Sequence, residues 1–321
     1  MESEGVVRMK WRSIIGPGLA LLAALVLAGC SVLRLGYGQA PMLAYWWIDG
    51  YVDINESQSQ PLRDGIDRWF EWHRRTEMPR YAALLVRAQK EVMEPRLSPE
   101  QMCAWRDEAQ RRIHVALDEA APVLAALMVS LTPEQIRHVE RKLAKDGEEM
   151  RNDFAQPDRA ERAKGAFKRT LERYESMYGR LDKAQRDRLR DLLAASPFDA
   201  ERWLNERERR NRDLIAALHS LATDGRAGVD RAAALAKAQA AVPMLGDRFV
   251  RSPRPEYRTY QERLTQANCV LASTMHNLTT GAQREHARDK LKGWEDDVRL
   301  ILSGGAVGST DNSNGTLVNP R

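Results

Sequence analysis

Five short segments of this chain are built to start a helix, and they fix the class of fold. Each has an apolar or neutral residue, then Ser, Thr, Asp or Asn, then two variable residues, then Gln. They are Ile54-Asn55-Glu56-Ser57-Gln58, Leu97-Ser98-Pro99-Glu100-Gln101, Leu131-Thr132-Pro133-Glu134-Gln135, Leu181-Asp182-Lys183-Ala184-Gln185 and a less regular Thr279-Thr280-Gly281-Ala282-Gln283. The short polar side chain can accept a hydrogen bond from the amide three residues on. The Gln can reach back to the cap's own N–H, so two otherwise orphaned donors are satisfied together. Pro99 and Pro133 fall at the first helical position, where a missing N–H is harmless. Leu97 and Leu131 are placed to pack against Met102 and Ile136 one turn in. The uneven spacing of the copies excludes a solenoid of fixed period.

Between these starts the apolar residues follow the helical period. Ile136, Val139, Leu143, Met150 and Phe154 share a face, as do Phe167, Leu171, Tyr174 and Tyr178. Leu189, Leu192 and Leu193 precede a further start at Ser196-Pro197-Phe198-Asp199, and two last helices carry Tyr257 to Leu278 and Leu291 to Ile301. No run of alternating β-branched residues is long enough for a sheet. The expected fold is therefore all-α: an irregular multi-helix bundle over residues 42–302, with one elongated body or two packed helical subdomains. Thr223–Gly228 reads as a turn, and Pro243, Gly246, Pro253 and Pro255 make residues 241–255 a non-helical crossing. The Gly/Ser/Asn-rich residues 303–321 are expected to be a disordered tail.

The N-terminus carries an address. Arg8, Lys10 and Arg12 precede an apolar run from Ile14 to Ala28, which is broken by Gly16-Pro17-Gly18 and is short for a membrane span. Leu27-Ala28-Gly29-Cys30 then resembles the lipobox of bacterial lipoproteins, in which the signal (here residues 1–29) is removed and the cysteine acylated. A plain secretion signal and an uncleaved anchor are the alternatives. One acyl chain holds a protein only reversibly, whereas several on one residue hold it in effect permanently. Ser31, where an Asp would signal inner-membrane retention in such lipoproteins, favours the outer membrane with the body facing the periplasm. Residues 30–41, with Gly36, Gly38 and Pro41, read as a short lipidated tether.

With Cys30 assigned to lipid, Cys103 and Cys269 remain of three cysteines. In an oxidising compartment a Cys103–Cys269 disulfide is expected, with two buried free thiols or an intermolecular bridge as alternatives. The formal charge of +5 is a small surplus on a chain with 50 Lys/Arg and 45 Asp/Glu, and no concentrated basic face marks a nucleic-acid partner.

The catalytic vocabulary is sparse. His73, His114, His138, His219, His276 and His286 are scattered, without the His-x-x-x-His or His-Glu-x-x-His spacing that zinc or di-iron ligation needs. A nucleophile elbow, a Gly-rich phosphate loop and a Ser-x-x-Lys step are all missing from the sequence. No catalytic residue, metal or cofactor is assigned. Two stretches stand out as partner-binding candidates. Glu206-Arg207-Glu208-Arg209-Arg210-Asn211-Arg212 is charged all round a helix, which reads as a solvated centre laced with ion pairs or as a projecting arm. Arg207, Arg209 and Arg210 are its candidate contacts. The second runs from Ala44 to Tyr81 and is dense in aromatics, among them Trp46 and Trp47. It reads as the thick end of the core or as a surface for a partner or the membrane headgroup layer.

These residues carry a resemblance. The lipobox, Tyr45-Trp46-Trp47, Trp72-His73-Arg74 with Glu77 and Pro79-Arg80-Tyr81, Tyr178-Gly179-Arg180-Leu181, and Ser196-Pro197-Phe198-Asp199 with Arg202-Trp203-Leu204 are similar to an all-helical proteobacterial lipoprotein family of unknown function. The likeness spans essentially the whole mature chain and implies fold class and location, but no activity. Separately, the Leu-Thr-x-x-Gln steps resemble those of the small periplasmic Spy/CpxP helical chaperones, a likeness confined to the helix-start segment. The leading expectation is a non-catalytic, outer-membrane-anchored periplasmic protein that binds envelope proteins or unfolded clients. A structural or assembly factor of an envelope complex and a hydrolase with an unrecognised site are the other two.

Overall fold

The computed structural model describes residues 32–226 and 230–303, which form helices joined by short connections, with no strand among the described residues. Cys30, the signal segment and residues 304–321 lie outside the described residues. The helices are α1 (Val32–Val52), α2 (Glu56–Thr76), α3 (Met78–Glu91), α4 (Pro99–Ser130), α5 (Pro133–Phe154), α6 (Arg159–Tyr178), α7 (Lys183–Ala194), α8 (Ala200–Arg226), α9 (Arg231–Val250), α10 (Pro255–Asn277) and α11 (Gly281–Ser303).

All five helix-start segments form complete capping boxes. Asn55, Ser98, Thr132 and Asp182 each accept from the amide of their Gln and are bonded in return by its side chain. At Thr280, the least regular in sequence, Gln283 N donates to Oγ1 at 3.2 Å and Thr280 N donates to Gln283 Oε1 at 2.9 Å. Four of the boxes are also joined in two pairs. Gln58 Nε2 donates to Gln135 Oε1 and Gln135 Nε2 to Gln58 Oε1, at 3.2 and 2.6 Å. The Gln185 and Gln283 amides do the same at 2.7 and 3.0 Å. In both pairs each Gln also donates to the backbone carbonyl two residues before its partner's cap: Ser130 and Asp53 in one, Leu278 and Arg180 in the other. Two helix starts thus face each other, and their orphan polar groups are shared across the junction.

The 32-residue α4, about 48 Å long at 1.5 Å per residue, is the axis of the molecule, with α2, α8, α9 and α10 packed along it. By length and composition α4 could cross a membrane, and 22% of that apolar stretch is buried in the protein; Ala121, Ala125, Leu127 and Val129 are its buried side chains. Buried apolar side chains gather in two regions. One holds Tyr45, Leu62, Ile66, Leu127, Leu131, Ile136, Val139 and Leu218, continued by an alanine stripe of α9 (Ala234, Ala238, Ala241) on Ala125 and Val129 of α4. The other runs through smaller clusters that include Met78 and Val298, Tyr178 and Leu291, and Leu181, Leu189 and Met275. The bundle therefore has two cores. Cys103 of α4 and Cys269 of α10 are disulfide-bonded with their Cα atoms 5.4 Å apart. A Cβ at Gly65 would lie 2.2 Å from Val123 Cγ2, so α2 and α4 cross in direct contact there.

The proline-based expectations need correction. Residues 32–41, read as a tether, are the first turns of α1, and Pro41 lies inside that helix. The crossing expected over 241–255 shrinks to residues 251–254, because Pro243 and Gly246 sit within α9. Residues 223–226, read as part of a turn, end α8. Pro61 and Pro122 also lie inside helices. Each proline removes one backbone hydrogen bond and can bend its helix. At α9, burial of the alanine stripe against α4 offsets that loss.

A groove between α5 and α8 as the candidate functional site

An apolar concavity of about 570 Å³ lies where α5 meets α8. Small residues make the room: Ala144 and Gly147 on α5, Ala216 on α8. A Cβ added at Gly147 would meet nothing within 4 Å. Leu143, Leu204 and Ile215 line the groove, with Leu204 fully buried beneath it. Charged side chains of both signs border it: Glu140, Glu148 and Arg151 from α5, Arg207, Glu208 and Arg212 from α8. Arg151 ties the two rims together, donating to Glu201 at 2.7 Å and to Glu208 at 2.9 Å. At one end, Phe154 and Trp203 meet in a tilted contact with 5.2 Å between ring centroids.

The back of α5 is pinned to α1. Tyr51 donates to Asp146, which also receives Lys142 at 3.0 Å. The hydrogen bond to Asp146 is the main cause that pushes the Tyr51 phenol up to about 12, and the same bond helps hold the Asp146 carboxyl below its usual range.

The three candidate arginines of α8 do not form one patch. Neither expected form of this stretch fits the structure, because α8 packs against α4, α5 and α9 and is no arm. Its centre is not solvated all round either, since Glu206 is buried. Glu206 Oε1 receives Ser252 Oγ at 2.5 Å and Arg254 Nη1 at 3.1 Å. Arg207 turns into the α5–α8 groove. Arg209 is exposed, 3.9 Å from Glu256. Arg210 is partly buried. Its Nη1 donates to the Phe249 carbonyl at 2.7 Å, and burial lowers the guanidinium's pKa.

The aromatic stretch divides by face. Tyr45 is buried, with its hydroxyl 2.9 Å from Ser59 Oγ, while Trp46 and Trp47 are 56% and 66% exposed. His73 stacks on Trp69 at 4.8 Å and lies 3.0 Å from the Tyr37 hydroxyl. Glu77, fully buried, takes Arg80 at 2.8 Å and Arg112 at 3.4 Å. These are structural contacts, and they account for the density of aromatics and charges around residue 75. Among the described residues no group of three or more His, Cys, Asp or Glu is arranged to hold a metal.

Of the groove, sequence reasoning marked only Arg207 as a binding residue and read Leu143 as core. Leu204 entered only with Arg202 and Trp203 in the family likeness, and Ile215 and the small residues were not picked out. Their signal was faint but present, since Ala144 and Gly147 sit three apart on a helix otherwise rich in long side chains. Such a pair leaves a notch on one face.

No curated protein and no solved structure matches the chain. Over residues 50–233, which carry α2 to α8 and both walls of the groove, the sequence matches the model of a family of unknown function. The chain belongs to that family, DUF6279.

Proposed function

We propose that this protein is a lipid-anchored envelope protein that acts by binding, and that the α5–α8 groove holds an amphipathic helical segment of another envelope protein. The groove carries the reading. Its walls run from Glu140 to Arg151 and from Leu204 to His219, roughly 20 Å of helix or about four turns. An apolar bottom between rims of mixed charge suits a helix that presents one apolar stripe and charged flanks. Anchoring is supported by Leu27-Ala28-Gly29-Cys30, with Cys30 acylated and Ser31 directing the protein to the outer membrane, its body in the periplasm. The disulfide between Cys103 and Cys269 fits an oxidising compartment. The reading involves no catalysis, metal or cofactor.

Gly147 supplies the test. A leucine there extends into the groove from a position where an added Cβ meets nothing within 4 Å, and it removes a helix-interior glycine that costs about 1 kcal/mol. Photo-cross-linking in living cells from Glu208 on the rim should capture a partner with the wild-type chain and lose it in Gly147→Leu, with thermal stability held or raised. Capture unchanged by the plug rejects the groove. Loss of a cellular phenotype on changing one His or carboxylate, with folding and capture intact, would replace binding by catalysis.

A further inference from the structure

We infer that the outward face of α1 lies in the headgroup layer of the membrane, so that the protein is held to the bilayer by a surface as well as by its N-terminus. This rests on membrane attachment at Cys30, by lipid or by an uncleaved anchor, and goes beyond it to say how the body is oriented.

Over residues 36–52 of α1 the exposed positions are Gly36, Gly38, Gln39, Met42, Leu43, Trp46, Trp47 and Gly50. At 100° per residue they fall on one half of the helix, and none is charged. Met42, Leu43, Trp46 and Trp47 are 37%, 49%, 56% and 66% exposed, four large apolar side chains within six residues. The other exposed large apolar residues, such as Ile113, Phe198 and Val270, are spread along the rest of the chain. Other positions of α1 are engaged with the protein. Ala44, Tyr45, Ile48 and Val52 enter the core, Asp49 Oδ1 accepts the Ile54 amide at 2.8 Å, and the Tyr37 hydroxyl meets His73. The exposed positions thus form an uncharged face turned away from the protein, with Asp49 at its edge held by the Ile54 amide, on a molecule whose surface is otherwise dense in ions.

The length of chain before α1 chooses the occupant. Only Ser31 separates Cys30 from Val32, and two residue steps span at most about 7 Å. Whichever form the attachment takes, α1 begins at the bilayer surface, with no linker to carry it away. Indole rings favour the boundary between headgroups and acyl chains, and a helix with one apolar face lies in that plane with the face sunk about 5–10 Å. Trp46 and Trp47 are placed to do this with the axis of α1 along the surface.

The experiment uses the full chain, made in a host that processes lipoproteins and reconstituted in vesicles of phosphatidylethanolamine with a minority of phosphatidylglycerol, with and without brominated acyl chains. Bromine quenches only indoles that reach the acyl boundary. Wild-type tryptophan emission should fall in brominated vesicles, and most of that fall should vanish in Trp46→Phe/Trp47→Phe. Both variants should float with the vesicles and keep the wild-type helical circular dichroism. Protein that floats at high salt but shows no quenching overturns the orientation and leaves the anchor standing. Quenching that survives the double substitution overturns it too. If copies cross-link through residue 46 and quenching is absent, the face is an interface between copies. Protein that does not float overturns the anchor reading and this inference with it.

Discussion

Gln58 and Gln135, 77 residues apart in sequence, are each both donor and acceptor to the other across a junction closed to solvent. Each amide thereby satisfies its own helix's cap and the carbonyl ahead of the opposing helix. Loss of either side chain strips partners from polar groups of both helix starts.

Removal of either side chain should therefore cost about 1–3 kcal/mol, the penalty of leaving a buried polar group unpaired. The double change Gln58→Leu/Gln135→Leu should cost less than the sum of the two single ones. Urea unfolding in a double-mutant cycle measures the difference, expected at about 0.5–3 kcal/mol. Strict additivity would mean that the two caps act independently.

The Cys103–Cys269 bond closes a loop of 166 residues, and a crosslink over such a length can stabilise by up to about 5 kcal/mol through the unfolded chain. Cys103→Ala/Cys269→Ala should lower the melting temperature while leaving the helical signal at low temperature. Reductant should lower the wild-type melting temperature and leave that of the variant unchanged. If reductant moves neither, the bond contributes nothing to stability.

Arg209 and Arg210 should respond in opposite ways to charge reversal. Arg209→Glu loses one long, exposed contact to Glu256, which is of little value in water, and should leave the unfolding midpoint unchanged. Arg210→Glu orphans the Phe249 carbonyl and brings a second carboxylate near buried Glu206. It should destabilise by about 1–3 kcal/mol. Equal effects of the two changes in urea titration would mean that burial does not separate them.

His73 and His276 set a pH dependence. Burial is the main cause that lowers the pKa of both. His276 donates from Nε2 to the Glu94 carbonyl at 2.8 Å and keeps Nδ1 for the Tyr178 hydroxyl at 3.0 Å, so the neutral ring is fully satisfied. Arg284 near it also disfavours a second proton, whereas Glu77 beside His73 favours one and works against burial there. With folded pKa values below the unfolded value of about 6.5, the unfolded chain binds more protons in that window. Stability should be level above about pH 7.5 and fall as pH drops through about 6.5 toward the folded values. Asp146 and Glu295, held low first of all by hydrogen bonds from Tyr51 and Gln89, add losses only at more acidic pH. A urea midpoint that stays constant from about pH 7.5 to about 5 would contradict this.

The helix starts were legible because a capping box is a local object, complete within five residues. So were Cys103 and Cys269 as the pair left over once Cys30 is assigned to lipid. The joining of the boxes was not legible, since Gln58 and Gln135 have no sequence relation that says their helices start face to face. Pro41 and Pro243 were misread for the same reason. Their local cost is visible in the sequence, but the tertiary burial that outweighs it is not. Arg207, Arg209 and Arg210 look alike in sequence, yet their places differ: Arg209, two residues from Arg207 and one from Arg210, faces away from both, while Arg207 and Arg210 meet different neighbouring helices, α5 and α9.

The two glutamine junctions have a consequence for a chain delivered N-terminus first, whether from a ribosome or through a membrane pore. Gln58 finds its counterpart only when residue 135 has emerged, and Gln185 must wait for residue 283, 98 positions later. Until then each of these Gln amides lacks the partner that the closed junction gives it, and the surrounding apolar surface has nothing to close over. The second junction is therefore fastened only after α10 has been delivered. A fragment stopped before Thr279 lacks α11 and should expose Met78, Ala82, Val92 and Tyr178, which pack on it, and anything that shields nascent chains will meet that surface late.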